Sequence, residues 1–121
     1  MSKKILIVDD NKPLVEILAK QLEARGYVPL AAYDGAQGLT LAKKERPDLV
    51  VLDLSMPILD GITVCKIIKG EPGTKHIKII MLTADHLVGE MEDSFAAGAD
   101  IYLNKPYDLQ QLLAHIKNLI G

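Results

Sequence analysis

Short apolar runs recur along the chain at about positions 4–9, 27–32, 49–54, 78–83 and 100–104. Between them apolar residues return every three or four positions, the spacing of a helix with one buried face. Residues 12–25 put Leu14, Ile17, Leu18 and Leu22 on one stripe, with Pro13 in the first turn and Gly26 just beyond the end. Proline there and glycine after the last turn are start and stop signals. Residues 35–45 repeat the pattern more weakly behind Asp34, an N-cap candidate. Residues 61–69 carry Val64, Ile67 and Ile68, and residues 86–97 carry Leu87, Met91 and Phe95 before Gly98. Met91 and Phe95, at i and i+4, are expected in the core. Asp108 is expected to cap a last helix with Leu109, Leu112, Leu113, Ile116 and Ile120 inward.

Strands that alternate with helices predict a parallel sheet covered on both faces. ILIV, LVVL and IIML are continuously apolar, as central strands must be, whereas YVPLAA contains Pro29 and DIYLN alternates, as edge strands do. Right-handed crossovers then favour the order 2-1-3-4-5, the flavodoxin-like (βα)5 doubly wound sheet. Ligands of such sheets sit at the carboxyl ends of the strands, near the switch between strands 1 and 3.

Composition narrows the function classes. The 121 residues are 49% apolar and 25% charged with a net charge of −2, which gives no electrostatic pull toward nucleic acid or anionic lipid. Cys65 is the only cysteine and His76, His86 and His115 are scattered, so neither a disulfide nor a zinc-ligand spacing arises. There is no signal-peptide pattern and no apolar run of membrane-spanning length, so a cytoplasmic protein is expected. With no repeat, low-complexity tract or linker, residues 1–121 read as a single domain.

The chemistry lies in the last residues of each strand. Strand 1 ends in Asp9 and Asp10, strand 3 in Asp53, strand 4 in Thr83 and strand 5 in Asn104, Lys105 and Pro106. In the order proposed, strands 1, 3 and 4 are neighbours, so one edge collects three carboxylates, a hydroxyl and an ammonium. Clustered carboxylates are tolerated either by a raised pKa or by a hard cation. Mg²⁺ suits the second case, because it takes one or two carboxylates, keeps waters and also binds phosphate. Lys105 would add a point charge for phosphoryl oxygens. A carboxylate nucleophile, a metal and phosphate-binding groups together describe phosphoryl transfer to an aspartate.

The stretches ILIVDDN, PDLVVLDLSMPILDG, IIMLTA and GADIYLNKPY, in that order, resemble the receiver domain of bacterial two-component response regulators over the whole length. The resemblance is to the stand-alone chemotaxis-regulator type. It implies that Asp53 is the phosphoacceptor and that Asp10, Asp53 and the Ser55 backbone carbonyl bind Mg²⁺ directly, with Asp9 holding the metal through water. It implies that Thr83 contacts the phosphoryl group and moves on activation, that Lys105 pairs with Asp53 or its phosphate, and that Tyr102 is the switch aromatic. It also implies a cis Lys105–Pro106 bond. A sensor histidine kinase or histidine phosphotransfer protein would donate the phosphoryl group, and a protein effector would read the face of the last two helices and strand 5. Ser55 and Asp85 occupy places that tune dephosphorylation in this family. Ile101 and LQQLLAHIKN depart from the winged-helix transcription-factor subfamily, so a monomer without direct nucleic-acid binding or membrane insertion is expected.

Blander readings exist for each residue. Asp9 or Asp10 could merely cap helix 12–25; Thr83 suits a strand end and Lys105 solvent; Tyr102 could be a strand aromatic with its hydroxyl out. "DG" at Asp60–Gly61 is turn chemistry with no catalytic duty expected. Lys66, Lys69, Lys75 and Lys78 read as a solvated face, and Cys65 as a small helix residue. Two rival functions fit less well. An aspartate phosphatase of the haloacid dehalogenase kind wants a second aspartate where Ser55 stands. A flavin-binding protein wants a Ser/Thr/Gly-rich phosphate loop where DDNKPL stands. A degenerate receiver is not supported, since every site position is filled.

Overall fold

The structure, a computed structural model, describes residues 2–84 and 88–121. Five strands, β1 (Lys4–Val8), β2 (Val28–Ala32), β3 (Leu49–Asp53), β4 (Lys78–Thr83) and β5 (Ile101–Asn104), alternate with α1 (Lys12–Ala24), α2 (Gly35–Glu45), α3 (Gly61–Gly70), α4 (Val88–Ala96) and α5 (Leu109–Ile120). The strands form one parallel sheet in the order β2-β1-β3-β4-β5. The flavodoxin-like arrangement expected from the alternation is the one observed. Asp85, His86 and Leu87 lie outside the described residues, and with them the expected start of the fourth helix and the expected inward Leu87.

The central strands are buried on both faces, and their pleat divides them between two cores. Leu6 and Val8 of β1, Val50 and Leu52 of β3, and Ile79 and Met81 of β4 pack with Val64, Cys65 and Ile68 of α3. The alternate residues Ile5, Ile7, Leu49, Val51, Ile80 and Leu82 pack with Val15, Leu18 and Leu22 of α1 and Leu112, Leu113 and Ile116 of α5. A run such as ILIV is thus two period-2 patterns superposed. β2, with Pro29, and β5 occupy the two edges.

Helix boundaries follow local chemistry. Asp34, Asp60 and Asp108 cap α2, α3 and α5, their carboxylates accepting the N–H groups of Gln37, Thr63 and Gln110. Asn11, not either aspartate, caps α1, its side-chain oxygen accepting the Leu14 N–H at 3.3 Å. Gly26 and Gly98, at φ +88° and +108°, end α1 and the α4 segment as their positions predict.

Three side-chain expectations are corrected. On α1 the buried stripe is Val15, Leu18 and Leu22, while Ile17 is 57% exposed and Leu14 only half-buried. The apolar arc of α1 is wider than its contact with the sheet, and the pattern cannot say which edge of the arc faces in. Among the described residues of α4 the inward one is Ser94, with Ala97 just beyond the helix; Met91 and Phe95 are exposed. Small residues let α4 ride close over α3, where the Cys65 thiol lies 3.5 Å from the Ala97 carbonyl, and this turns the larger side chains outward. Lys69 is not a solvated charge: its ammonium donates to the Ile77 carbonyl at 2.6 Å and pairs with Asp100 at 3.3 Å.

These burial assignments separate two neighbouring α1 substitutions. Leu18→Ala should cost about 2–5 kcal/mol by leaving a cavity, whereas Ile17→Ser should change stability by no more than about 0.5 kcal/mol. Urea unfolding of both variants checks this; equal losses would mean that α1 is rotated from the position described.

Candidate functional site

The sheet register delivers the acidic residues to one edge. Val8 pairs with Leu52, Asp53 with Leu82 and Thr83 with Asn104. Asp9, immediately beyond β1, keeps one more ladder bond, from its N–H to the Ala32 carbonyl at 3.1 Å. Carboxylate oxygens of Asp9, Asp10 and Asp53 all lie within 4.8 Å of one another. Asp9 and Asp53 are buried, 3% and 5% exposed, and Asp10 faces solvent.

Lys105 reaches back from beyond β5 to this cluster. Its ammonium stands 2.8 Å from Asp9 Oδ2 and 3.4 Å from Asp53 Oδ1. The closer partner is therefore Asp9, not Asp53. Burial opposes the charge on Lys105, but the hydrogen bond to Asp9 and the charges of Asp53 and Asp9 outweigh it and raise its pKa. The Lys105 N–H donates to the Thr83 carbonyl at 2.6 Å, which seats the lysine beside the end of β4. The Lys105–Pro106 peptide bond is cis.

The Asp53 carboxyl group is strongly perturbed. Burial, then the Asp9 charge, pushes its pKa up to about 6, against the opposing pull of Lys105 and of the Ser55 N–H, which donates to Asp53 Oδ1 at 3.3 Å. Thr83 is fully buried at the end of β4. Tyr102, on β5, is half-buried, with its ring 6.4 Å from that of Phe95 and tilted by 49°. Asp85 lies outside the described residues.

With Asn11 as the α1 cap, capping does not account for Asp9 and Asp10. The Asp9 carboxylate instead takes the Asn11 N–H at 2.9 Å and the Lys105 ammonium. Three oxygen donors with an open, solvent-facing side fit a small hard cation, whose ligands lie at about 2.0–2.1 Å for Mg²⁺. Neither thiol nor imidazole is among them, so the donor set is not that of a softer metal.

Two residues of the site were not assigned a role from the sequence. Gly61 begins α3 and donates its N–H to the Leu54 carbonyl at 3.0 Å. A Cβ there would run into the Asp53 carbonyl oxygen and stand 2.8 Å from Leu54 Cα, so only glycine lets α3 start against the backbone of the central aspartate. "DG" signalled the turn, but not the close approach. Tyr107 closes the site from below: with Leu14, Val15 and Leu82 it lines a hollow against Asp9 and Asp53 too tight for a water molecule. Burial, with a smaller contribution from Asp9, raises its phenol pKa against the pull of Lys105. Its sole sequence signal is adjacency to Lys105–Pro106. A roomier hollow of about 430 Å³, lined by Arg25, Tyr27 and Lys117, lies at the opposite edge of the sheet and takes no part in this chemistry.

Residues 5–117 match the family model of the response regulator receiver domain. The chain is 41% identical over 120 residues to the response regulator MprA of Mycobacterium tuberculosis, covering 99% of this chain and 51% of that protein. It is 38% identical over 117 residues to the DNA-binding dual master transcriptional regulator RpaA of a Synechocystis species, covering 97% of this chain and 48% of RpaA. Among solved structures, the chemotaxis protein CheY4 of Vibrio cholerae superposes with a TM-score of 0.92 at 28% identity, covering 99% of this chain and 100% of that one. This chain belongs to the response regulator receiver domain family, a family of signalling switches of two-component systems. It spans about half the length of these two curated relatives.

Two predictions follow from the geometry. Gly61→Ala should destabilise the fold by about 1–3 kcal/mol through overpacking against the Asp53 backbone; a change below about 0.5 kcal/mol in urea would show that the contact yields. The raised pKa of Asp53 means that, without metal, the native state holds a proton between about pH 4 and 6 that the unfolded chain has lost. Its contribution to stability therefore falls as pH rises through that window and is flat above it. In chelator, Asp53→Asn should match the wild type near pH 4 and melt at higher temperature above pH 6. A pH-independent difference in melting temperature would contradict the raised pKa.

Proposed function

We propose that this receiver domain accepts a phosphoryl group on Asp53 from the phosphohistidine of a sensor histidine kinase or histidine phosphotransfer protein, in a Mg²⁺-dependent reaction. The observation that carries this reading is the buried Asp53 carboxylate, 3.4 Å from the Lys105 ammonium and within 4.8 Å of two further carboxylates. An Asp53 oxygen forms a bond to phosphorus as the phosphorus–nitrogen bond of the donor breaks. The electron pair returns to the imidazole nitrogen, and the other ring nitrogen carries the proton, so neutral imidazole leaves.

Asp10, Asp53 and the Ser55 carbonyl would hold Mg²⁺, with Asp9 acting through water. When bound, the metal neutralises charge on the transferred group. Lys105, already held at Asp9, is the cation this chain itself supplies to the phosphoryl oxygens. Thr83, at the end of β4, would hydrogen-bond the phosphoryl group. Burial of Asp53 strips water from the nucleophile and confines the reaction to donors that enter from the carboxyl edge.

Modification adds charge and acceptor oxygens at one spot and shifts a two-state equilibrium. Thr83 is drawn toward the phosphate and Tyr102 turns inward, away from Phe95. The face formed by α4, β5 and α5 then changes for a downstream protein effector. The absence of basic excess, with a net charge of −2, supports a protein rather than a nucleic-acid target for this segment. Among the described residues no helix is long and apolar enough to cross a membrane. We read the domain as a cytoplasmic monomer whose catalytic work is limited to its own phosphorylation and dephosphorylation.

Intact mass after brief treatment with phosphoramidate tests the chemistry. A single phosphoryl adduct should form with Mg²⁺, and none in chelator or in Asp53→Asn. No adduct on folded wild-type protein with Mg²⁺ would sink the proposal. Amide spectra of the phosphorylated protein should show the largest shifts in α4, β5 and α5; unchanged spectra there would remove that face from the mechanism.

A further inference from the structure

The loop between β3 and α3 holds one residue that the fold does not account for. Ile58 has φ +69° and its side chain is fully exposed, at 108% of the reference area. A β-branched side chain in the left-handed region is strained, because its methyl groups crowd the backbone there. Such strain persists where surrounding structure imposes it. Here the imposed part is the backbone path. Met56 is buried and Leu59 packs against the core, so the residue between Pro57 and Leu59 is forced outward. The Leu59 N–H donates to the Pro57 carbonyl at 2.7 Å, and Gly61 ties the loop back to Leu54 at 3.0 Å. Glycine or asparagine would satisfy that path with less strain. The isoleucine side chain adds no burial to the folded domain in return.

We infer that Ile58 is an anchor for the protein phosphodonor, seated in an apolar hollow of that donor beside its phosphohistidine. The inference rests on the phosphoacceptor reading of Asp53. Asp53 is only 5% exposed, so a histidine carried by a protein reaches it only if the donor's surface lies on the loops of the carboxyl edge. The loop that follows Asp53 is one of them, and Ile58 is its outermost apolar group. Ile58 itself, with Pro57, Leu59, Gly35 and Ala36, lines a shallow hollow of about 200 Å³ bordered by Asp34. Asp10 and Asp60 are exposed on the same side. The complementary surface is apolar at its centre and basic at its fringe, which describes a donor protein with Lys or Arg flanking the apolar contact.

The test compares a protein donor with a small one. The protein donor is a phosphorylated kinase phosphotransfer domain selected from a panel by its transfer to the wild-type chain; the small donor is phosphoimidazole. Ile58→Asn should melt a few degrees higher than wild type and take phosphoryl from phosphoimidazole within about twofold of the wild-type rate. Its kcat/KM from the protein donor should fall at least tenfold, mainly through KM. Ile58→Val should keep most of the wild-type rate, and the distant exposed Val28→Thr should keep all of it. Undiminished transfer from the protein donor to Ile58→Asn would overturn the anchor while leaving the phosphoacceptor intact. An equal loss with both donors would also overturn it, by showing that the loop acts on Asp53 itself. Failure of wild-type protein to form an Asp53 adduct with either donor would remove the reading on which it rests.

Discussion

The Lys105 ammonium between Asp9 and Asp53 is the interaction on which this site depends. Two buried carboxylates a few ångströms apart repel by several kcal/mol at the effective dielectric near a protein surface. One cation at 2.8 and 3.4 Å offsets much of that repulsion, yet burial first and the Asp9 charge second still hold the Asp53 pKa up at about 6. The three residues come from the ends of β1, β3 and β5, and β4 lies between the last two. The ion pairs therefore form only when β1, β3, β4 and β5 are in register. Global topology and local electrostatics are one constraint here, because the carboxylates of the site and its ammonium come from different strand ends.

The remaining perturbation of Asp53 has a functional sense. A buried carboxyl group beside a second carboxylate would gain most from a divalent cation, and the exposed Asp10 leaves one side of the cluster open to solvent. The surroundings of the cluster are closely packed. Tyr107 and Leu14 close the space beneath Asp9 and Asp53. Gly61 brings α3 against the Asp53 backbone, and the Asp60 cap holds the first turn of α3 through the Thr63 N–H at 2.8 Å. The base of the site is thus packed like a core, while its rim carries the exposed and strained residues. On the opposite flank, α4 meets the sheet through Ser94 and Ala97, and Phe95 rests on Tyr102 from outside.

Much of this was legible in the linear chain. Pro29 marked an edge strand, the continuous apolarity of ILIV, LVVL and IIML marked central ones, and strand–helix alternation with right-handed crossovers left one economical order. From that order, Asp9, Asp53 and Thr83 fall at one edge by counting to the end of each strand. Burial on both faces and the hand of the crossover are properties of local sequence and backbone chirality, and they leave their trace in composition. Other features were not legible because they depend on how elements rotate and how closely they approach. Periodicity marked the stripe of α1 and of α4, yet which side of the stripe meets the sheet is decided by the partner surface. Ile17, Met91 and Phe95 were misplaced for that reason.

The sequence by itself determined the element order, the sheet, the edge at which chemistry collects and the residue types brought there, since these follow from hydrophobic period, turn residues and chain direction. Only the tertiary structure decided that Lys105 lies closer to Asp9 than to Asp53, that Lys69 is tied to Asp100 and Ile77, that Gly61 is required by a backbone contact and that Ile58 stands strained in solvent. Those outcomes rest on distances between groups far apart in the chain, where differences of an ångström choose the partner, and a one-dimensional pattern does not carry distances of that kind.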